Sequence, residues 1–309
     1  AYSKCRVSRD VTHIILLVPT WEMVEVWKEQ IFSQHAKGTR SDGETLMQLS
    51  TLTQVPAELR AKMRSGELSG LTSGMAPGYV QANLVVLPRE QAFDFLLFCQ
   101  RNPKPCPLLE VIEAGSVEPR EMAPGVDLRT DLPRYRVYEN GELVEEPTSI
   151  SHVWRDDLVS FLLGCSFTFE SALIKGGIRV PHYEEGKNTA MFTTSIRTTP
   201  AGIFSGPMVV SMRAIPRQKL VRAVQITSRF PSVHGAPVHI GDPAAIGVTD
   251  VTTPDLGDPA VVGKDDVPVF WGCGVTPQAV AMNSKPPLMI THAPGHMFIT
   301  DVLDEDMAV

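Results

Sequence analysis

The sequence predicts an α/β protein of mixed, α+β character. Apolar residues recur at helical spacing from Ala92 to Cys99, and strand-like alternation is found in segments such as Pro207 to Ile215. The chain has 309 residues, of which 43% are hydrophobic and 20% charged. This length and composition suit two domains or one large domain with a substantial core.

Charge and cysteine content restrict the partners and the compartment. A net charge of −7 argues against nucleic acid or an anionic membrane, so a small molecule is the expected partner. The five cysteines form no CxxC pair, there is no secretory pattern, and the apolar run His13–Val18 is far shorter than the roughly 20 residues of a membrane span. These features predict a cytoplasmic protein. They do not determine its oligomeric state, and a homo-oligomer is compatible with the sequence.

The first third of the chain begins with an extension, residues 1–54, to which no chemistry is assigned. Four elements are predicted here: a strand at His13–Val18, a helix at Trp21–Phe32, a helix at Pro56–Arg64 and a strand at Val80–Leu87. A glycine- and serine-rich loop, Ser69–Tyr79, precedes the last strand. Such a loop can bind an anion through backbone N–H groups, although it lacks the residue order of a nucleotide-binding loop.

A composition change near residue 120 marks a predicted domain boundary. Residues 104–147 are rich in proline and short strands, with a hairpin signal at Glu139-Asn140-Gly141. Asp156–Leu163 is predicted to be a helix. A second short helix, capped by Ser166, is predicted to end at Gly176-Gly177.

Glu170 lies in the first turn of that second helix, where the helix dipole favours a carboxylate. If it is buried, it is a candidate general acid or base; if it is exposed, it is only a charge at a helix start. Cys165, just before the cap, has two interpretations as well. It is a thiol with a lowered pKa or, as we favour, a small buried apolar residue.

Groups able to hold a carboxylate are frequent in the second half of the chain. Thr193 and Thr194 supply hydroxyls, Arg197 follows them, and Arg213 lies near the end of a predicted strand. A surface ion pair is the alternative for Arg213. Pro216 opens a predicted helix.

The turn Gly272-Cys273-Gly274 joins a predicted strand, Val267–Trp271, to a helix that begins at Thr276-Pro277. Gly272 and Gly274 are candidate anion-binding positions, because free N–H groups and the positive end of the helix dipole meet there. Two strands end the chain, Leu288–Thr291 and Met297–Val302.

His239 and Asp242 lie in a glycine- and proline-rich segment, Val233–Val248, which cannot be regular helix. Residues 186–241 contain no Asp or Glu, whereas acidic residues predominate after Asp242. A boundary of this kind suits a small anionic ligand with proton chemistry beside it. The alternative is structural: a histidine bonded to backbone and an aspartate that caps the next helix.

Seven segments, in order, resemble a family described as putative hydro-lyases, whose members include D-glutamate cyclase. The resemblance covers about Pro56 to Asp301, and its segments are GYVQANLVVLP (78–88), FCQRNPKPCPLLEV (98–111), GCSFTFESAL (164–173), VVSMRAIP (209–216), PVHIGDPAAIGV (237–248), VPVFW (267–271) and THAPGHMFITD (291–301).

The resemblance implies a layered α/β domain with a smaller two-layer α+β domain inserted. We assign residues 55–120 and 231–309 to the layered domain and 121–230 to the insertion. The implied activity is that of a hydro-lyase which converts D-glutamate, or a related small amino or hydroxy acid, into 5-oxo-D-proline and water.

For that reaction we predict His239 as the base for the amine, with Asp242 either orienting it or sharing the proton. Glu170, if it is removed from water, is predicted to be the acid that protonates the leaving oxygen. Thr193, Thr194, Arg197, Arg213 and the Gly272–Gly274 turn are predicted to hold carboxylates. Ring closure is intramolecular and requires no cofactor. The sequence does not decide whether a divalent metal takes part.

Two other classes of function are compatible with the sequence. One is a metal-assisted hydratase or amidohydrolase built from His239, Asp242, His292 and His296. The other is a non-catalytic protein that binds small carboxylates. Chelator sensitivity distinguishes the first, and ligand binding without turnover distinguishes the second.

Overall fold

The computed structural model describes residues 55–309, whose strands form two sheets, each of them antiparallel throughout. Helices pack against these sheets, so the protein is mixed α+β, in agreement with the predicted class. The predicted strand His13–Val18 and helix Trp21–Phe32 lie outside the described residues. No helix within residues 55–309 is long and apolar enough to cross a membrane.

The first sheet has seven strands, in the order β2-β5-β1-β10-β3-β4, and β11 pairs with β1. Its strands are β1 (Tyr79–Pro88), β2 (Leu108–Ile112), β3 (Tyr135–Glu139), β4 (Glu142–Glu145), β5 (Leu158–Gly164), β10 (Leu288–His292) and β11 (Phe298–Leu303). The second sheet has four strands in the order β6-β7-β9-β8. These are β6 (Ala190–Arg197), β7 (Pro207–Pro216), β8 (His239–Ile240) and β9 (Asp266–Gly272).

Six α-helices lie within the described residues: α1 (Pro56–Arg64), α2 (Arg89–Arg101), α3 (Glu170–Lys175), α4 (Pro181–Glu184), α5 (Leu220–Ser228) and α6 (Thr276–Ser284). Short 3₁₀ helices occupy Ser166–Phe169, Arg217–Lys219, Pro231–Val233, Pro243–Ile246 and Asp304–Met307. The predicted helix from Pro56 to Arg64 is confirmed, with its proline in the first turn.

The prediction of a helix at Asp156–Leu163 is wrong, because this segment is the strand β5. All seven residues of β5 are buried, and the strand lies between β1 and β2. A strand covered on both faces reads as a continuous apolar run, which periodicity alone does not separate from a buried helix.

The predicted domain boundaries differ from the arrangement of the sheets. Strands β3, β4 and β5 fall in the predicted insertion but belong to the first sheet, and β8 and β9 fall in the predicted layered part but belong to the second. In the structure the entire second sheet is inserted between β5 and β10. The composition change near residue 120 therefore marks a loop before β3.

The two faces of the second sheet pack into different cores. Pairing aligns Ser211 with Trp271 and Arg213 with Val269, so these four side chains share one face. Trp271 and Val269 belong to a core with residues of α3 and α5. Met212 and Phe270 face the other way, into a core with Ile246 and Val248.

Candidate active site

A buried ion pair between Glu170 and Arg213 lies where the end of β5 meets the second sheet. From β5 the chain passes through a 3₁₀ helix, Ser166–Phe169, and Glu170 is the first residue of α3. Arg213 extends from β7. Their exposed fractions are 1% for Glu170 and 3% for Arg213. Both charges are therefore removed from water, and each depends on the other for compensation.

The guanidinium of Arg213 is held on several sides. Its Nε donates to Glu170 Oε1 at 3.0 Å, and Nη2 donates to the same oxygen. Nη2 also donates to Ser166 Oγ at 3.0 Å, and Nη1 to Ser211 Oγ at 3.1 Å. The rings of Phe169 and Trp271 lie 5.3 and 5.5 Å from its central carbon. The structure thus places Arg213 as the partner of Glu170, with four hydrogen bonds already made.

His182, from α4, completes the surroundings of Glu170. Its Nε2 lies 2.8 Å from Glu170 Oε1, the oxygen that Arg213 also contacts. Oε2 of Glu170 makes no hydrogen bond with any of the residues 55–309. Arg213 and His182 therefore both contact Oε1, and Oε2 keeps its capacity to accept a hydrogen bond or a proton.

The electrostatics keep Glu170 ionised. Burial alone would raise the pKa of its carboxyl, but His182 and Arg213 oppose this more strongly, so the pKa lies below its ordinary value. An ionised carboxylate accepts a proton before it can donate one. Glu170 was predicted to act as the acid, a role that needs a protonated carboxyl group. In the free protein its carboxyl group is ionised, so it must first take up a proton.

Glu170 lines a small pocket of about 30 Å³. Its lining includes residues of the loop Gly74–Tyr79, part of the predicted anion-binding loop, together with Phe167, Thr168 and Tyr183. Gly74 and Gly78 have φ values of +78° and +93°, which favour glycine. Their amides make no hydrogen bond within the described residues, so they are available to an anion.

His234 lies near the guanidinium of Arg213. It is buried and has a left-handed backbone, with φ of +84°. Its Nδ1 lies 2.7 Å from the carbonyl oxygen of Lys104, whereas its Nε2 has no partner among residues 55–309. Burial lowers the pKa of His234 to about 4, and the charges of Arg213 and Lys104 contribute in the same direction. The ring is therefore neutral at pH 7.

Two cysteines near Arg213 are protonated at neutral pH. Burial raises the pKa of Cys165 well above its usual range and that of Cys273 to about 11. A buried thiol of this kind is a poor nucleophile. This agrees with the favoured interpretation of Cys165 as a small buried residue.

His239 and Asp242 do not form the predicted pair of ring and carboxylate. His239 Nε2 lies 2.6 Å from the backbone carbonyl oxygen of Asp242, not from its side chain. The Asp242 carboxylate is exposed and accepts a hydrogen bond from the amide of Ala244 at 3.0 Å, which caps a 3₁₀ helix. An aspartate before Pro-Ala-Ala is a favourable cap. The turn therefore matches the structural interpretation given above, in which the histidine bonds to backbone and the aspartate caps the next helix.

His239 and Arg213 lie on opposite faces of the second sheet. His239 pairs with Phe270, and its ring contacts the Phe270 ring with centroids 5.8 Å apart. Arg213 pairs with the next residue of β9, Val269. Because neighbouring residues of a strand point to opposite faces, the structure does not bring these two predicted site residues together.

The predicted carboxylate holders on β6 also lie apart from Glu170. Arg197 is exposed at the end of β6, and the hydroxyl of Thr194 donates to the carbonyl oxygen of Met208 at 2.7 Å. Thr193 is exposed, and its amide donates to Asp255 at 2.6 Å. The hydroxyl of Thr194 thus stabilises the pairing of β6 with β7.

The Gly272–Gly274 turn is buried against neighbouring backbone and side chains. A Cβ at Gly272 would lie 2.7 Å from the carbonyl oxygen of Lys104, and one at Gly274 would overlap the amide of Asn83. The first turn of α6 is closed by Thr276, whose hydroxyl donates to Cys273 O at 2.7 Å. Close packing explains why both positions are glycine, because the backbone of Lys104 and the side chain of Asn83 lie where a Cβ would be.

The four residues of the metal-assisted alternative are divided between the two sheets. His292 ends β10, and its Nδ1 lies 3.2 Å from the amide of Leu84, whereas His296 Nδ1 lies 2.9 Å from Pro294 O. His239 and Asp242 belong to the second sheet and the turn after it. Within residues 55–309, no group of three or more His, Cys, Asp or Glu side chains is arranged to hold a metal ion.

The sequence did not single out two residues of this region, His182 and Ser211, and it gave His234 no role. Ser211 was detectable, because it precedes Arg213 by two residues in a strand and must share its face. His234 and His239 occur in one turn, and only the fold separates the buried ring from the half-buried one. His182 had no signal, because no motif surrounds it.

The chain is similar to known sequences over most of its length. Residues 159–301 match the family model described as D-glutamate cyclase. A protein from Stutzerimonas stutzeri, called "Putative hydro-lyase", is 61% identical over 254 residues, 82% of this chain and 96% of its own. The "Putative hydro-lyase YcsI" of Bacillus subtilis is 59% identical, over 82% of this chain and 99% of its own.

Among solved structures, a nitrogen repressor-like protein of Methanococcus jannaschii is aligned over 77% of this chain and 96% of its own. The TM-score is 0.33 and the sequence identity 11%, so no conclusion follows from it.

These sequence relatives carry the name putative hydro-lyase, so hydro-lyases are the class of protein that this chain resembles. The chain belongs to the D-glutamate cyclase family. The resemblance of the seven sequence segments is thereby confirmed.

Proposed function

We propose that the protein is a hydro-lyase that cyclises D-glutamate, or a closely related small amino dicarboxylic acid, at the pocket beside Glu170. One observation carries the proposal: a buried, ionised carboxylate that lines a pocket has one oxygen fixed by Arg213 and His182, and its other oxygen makes no hydrogen bond with residues 55–309. Membership of the family gives the reaction class.

The reaction converts D-glutamate into 5-oxo-D-proline and water. The α-ammonium loses a proton, and the amine attacks the γ-carboxyl carbon to form the C–N bond of the ring. The nitrogen then loses a second proton, and one C–O bond breaks. Both protons leave with that oxygen as water. The reaction therefore consumes and releases no net proton, and a residue that carries the protons returns to its original state.

Glu170 is the group that we assign to this proton movement. Since its carboxylate is ionised at rest, its Oε2 can accept a proton from the substrate ammonium and then return it to the departing oxygen. A single residue therefore acts as base and then as acid. This replaces the predicted division of those roles between His239 and Glu170.

Arg213 and His182 position the carboxylate. Their contacts with Oε1 orient the second oxygen and stabilise its charge in a site removed from water. The proposal gives Arg213 no direct contact with the substrate, because four of its hydrogen bonds already go to protein groups.

The amides of Gly74 and Gly78 are the proposed binding groups for a substrate carboxylate. They line the same pocket as Glu170, and backbone N–H groups of residues with left-handed conformation can form an anion-binding concavity. Pockets that enclose a whole ligand measure roughly 300 Å³ or more, whereas this one measures about 30 Å³. The proposal therefore includes an outward movement of the loop Gly74–Tyr79 when substrate binds.

A proton NMR time course with the purified protein tests the function. D-glutamate, L-glutamate and 5-oxo-D-proline are incubated separately, each with and without a chelator. We expect 5-oxoproline to form from D-glutamate, independently of the chelator, and formation to be lost in Glu170→Gln. Glu142→Gln, an exposed carboxylate on β4 outside the pocket, is the matched control.

Two results would overturn the proposal. Absence of turnover of all three compounds would reject this substrate, and full activity of Glu170→Gln would reject the site. Loss of activity with the chelator would instead favour the metal-assisted alternative.

A further inference from the structure

A second pocket, of about 280 Å³, lies between α3 and α5, and all of its charged lining is cationic. It shares no lining residue with the pocket beside Glu170. Its lining consists of Ala172, Lys175, Gly176, Arg222, Gln225, Ile226, Arg229 and Phe230.

The lining follows from helix geometry. Arg222, Gln225, Ile226 and Arg229 recur along α5 and its end at intervals of three and four residues, which places them on one face. Gly176 allows the two walls to approach, because a Cβ there would overlap the side chain of Ile226. The pocket thus has an apolar floor and cationic walls.

Two of the three cations of the pocket, Lys175 and Arg222, form no salt bridge with any residue of the range 55–309. The third, Arg229, donates from its Nε to an oxygen of Val309, the last residue, at 3.1 Å. Residues 186–241, which supply both arginines, contain no Asp or Glu. Lys175 and Arg222 are exposed at the pocket, and two neighbouring positive charges without a counter-charge among the described residues attract anions.

We propose that this pocket binds a small oxyanion that carries two or more negative charges. Its volume of about 280 Å³ is close to the lower limit of ligand sites, roughly 300 Å³. Arginine forks suit phosphate and carboxylate oxygens alike. The apolar floor from Ile226 and Phe230 can contact the carbon skeleton of an organic anion.

Isothermal titration calorimetry of the full chain with pyrophosphate, and separately with citrate, at constant ionic strength tests this site. We expect one-site binding of at least one probe. Binding of pyrophosphate alone assigns the site to phosphate-type ligands, and binding of citrate alone assigns it to polycarboxylates. The dissociation constant should rise at least about tenfold in Arg222→Glu and in Lys175→Glu, because each exchange replaces attraction by repulsion.

Arg120→Glu is the control, since Arg120 is exposed and does not line the pocket. It introduces the same change of net charge as Arg222→Glu, so its affinity should stay close to wild type. The proposal fails if neither probe binds at millimolar concentration. It also fails if the two pocket variants, shown by circular dichroism to be folded, bind as tightly as wild type.

Discussion

Arg213 and Glu170 are joined through a single carboxylate oxygen: Nε of the arginine lies 3.0 Å from Oε1 of the glutamate, and Nη2 donates to the same atom. Oε1 also lies 2.8 Å from Nε2 of His182. The interaction stabilises the charged form of a carboxyl that burial alone would neutralise. The stability of the fold and the proposed chemistry of the pocket therefore involve the same pair of residues.

Replacing Arg213 by methionine should strongly destabilise the protein. The substitution leaves the Glu170 charge buried without its guanidinium, a change that costs about 3–5 kcal/mol in comparable pairs. Urea unfolding monitored by circular dichroism measures the loss. Arg120→Met, at an exposed arginine, should stay within about 0.5 kcal/mol of wild type. A loss below about 1 kcal/mol in Arg213→Met would show that the pair is not essential to the fold.

The stabilisation from Glu170 should depend on pH with a defined sign. Its folded pKa is lowered, so its contribution is present above the unfolded value of about 4.3 and is lost as pH falls through the folded pKa. The difference in unfolding free energy between wild type and Glu170→Gln should therefore narrow below about pH 4. Urea titrations at pH 7, 5, 4 and 3 measure it. A difference that stays constant over this range would contradict the assignment.

The residue patterns predicted local elements better than their assembly. The hairpin at Asn140-Gly141 is present, with both residues at positive φ, because its turn chemistry is local. Strand β5 was missed, because whether a short apolar run is strand or helix depends on neighbours distant in sequence. The division of the strands between the two sheets differs from the predicted insertion boundaries for the same reason.

The site was predicted only in part. Glu170 was identified as an acid or base conditional on burial, and it is buried. Its partners Arg213 and His182 are 43 and 12 residues away in the chain, and no spacing rule connects them. The composition of the segment around His239 predicted a site there. Strand alternation, however, places the His239 ring and the Arg213 side chain on opposite faces of the second sheet.

His234 should make the protein less stable below neutral pH. Its folded pKa is lowered to about 4, so its neutral form contributes stability that is complete above the unfolded pKa of about 6.5 and is lost as pH falls from there toward 4. The full effect is about 3 kcal/mol. His234→Asn, which tolerates positive φ, should lose less stability between pH 7 and 4 than wild type.

Gln100→Asn supplies the control, because this exposed residue of α2 has no titratable side chain and its replacement should leave the pH dependence unchanged. Thermal or urea unfolding across this pH range gives the comparison. If His234→Asn and wild type lose stability in parallel, the buried ring does not take up a proton on unfolding.

Gly164 should not tolerate a side chain. A Cβ there would overlap the carbonyl oxygen of Ser232 and lie 2.8 Å from the Cα of Val233, immediately before His234. Because backbone must move, Gly164→Ala should cost about 1–3 kcal/mol or more. Gly70→Ala, where nothing lies within 4 Å, should stay within about 0.5 kcal/mol of wild type. Equal stabilities of the two variants would contradict the close approach.

The kinetics of two variants decide between the sequence-based site and the structural one. His239 lies on the face of the second sheet opposite Arg213 and contacts the backbone of Asp242 and the ring of Phe270. His239→Ala should therefore keep kcat/KM for D-glutamate close to wild type. Glu170→Gln should lower kcat by about 10²–10⁴, the usual contribution of a general acid or base.

Melting curves must accompany both measurements, because Glu170→Gln also leaves Arg213 without its anion. If Glu170→Gln is folded and inactive while His239→Ala is active, the proton chemistry belongs to the buried pair. If His239→Ala is folded and inactive while Glu170→Gln retains activity, the chemistry lies at the turn after β8, and the ion pair serves only the fold.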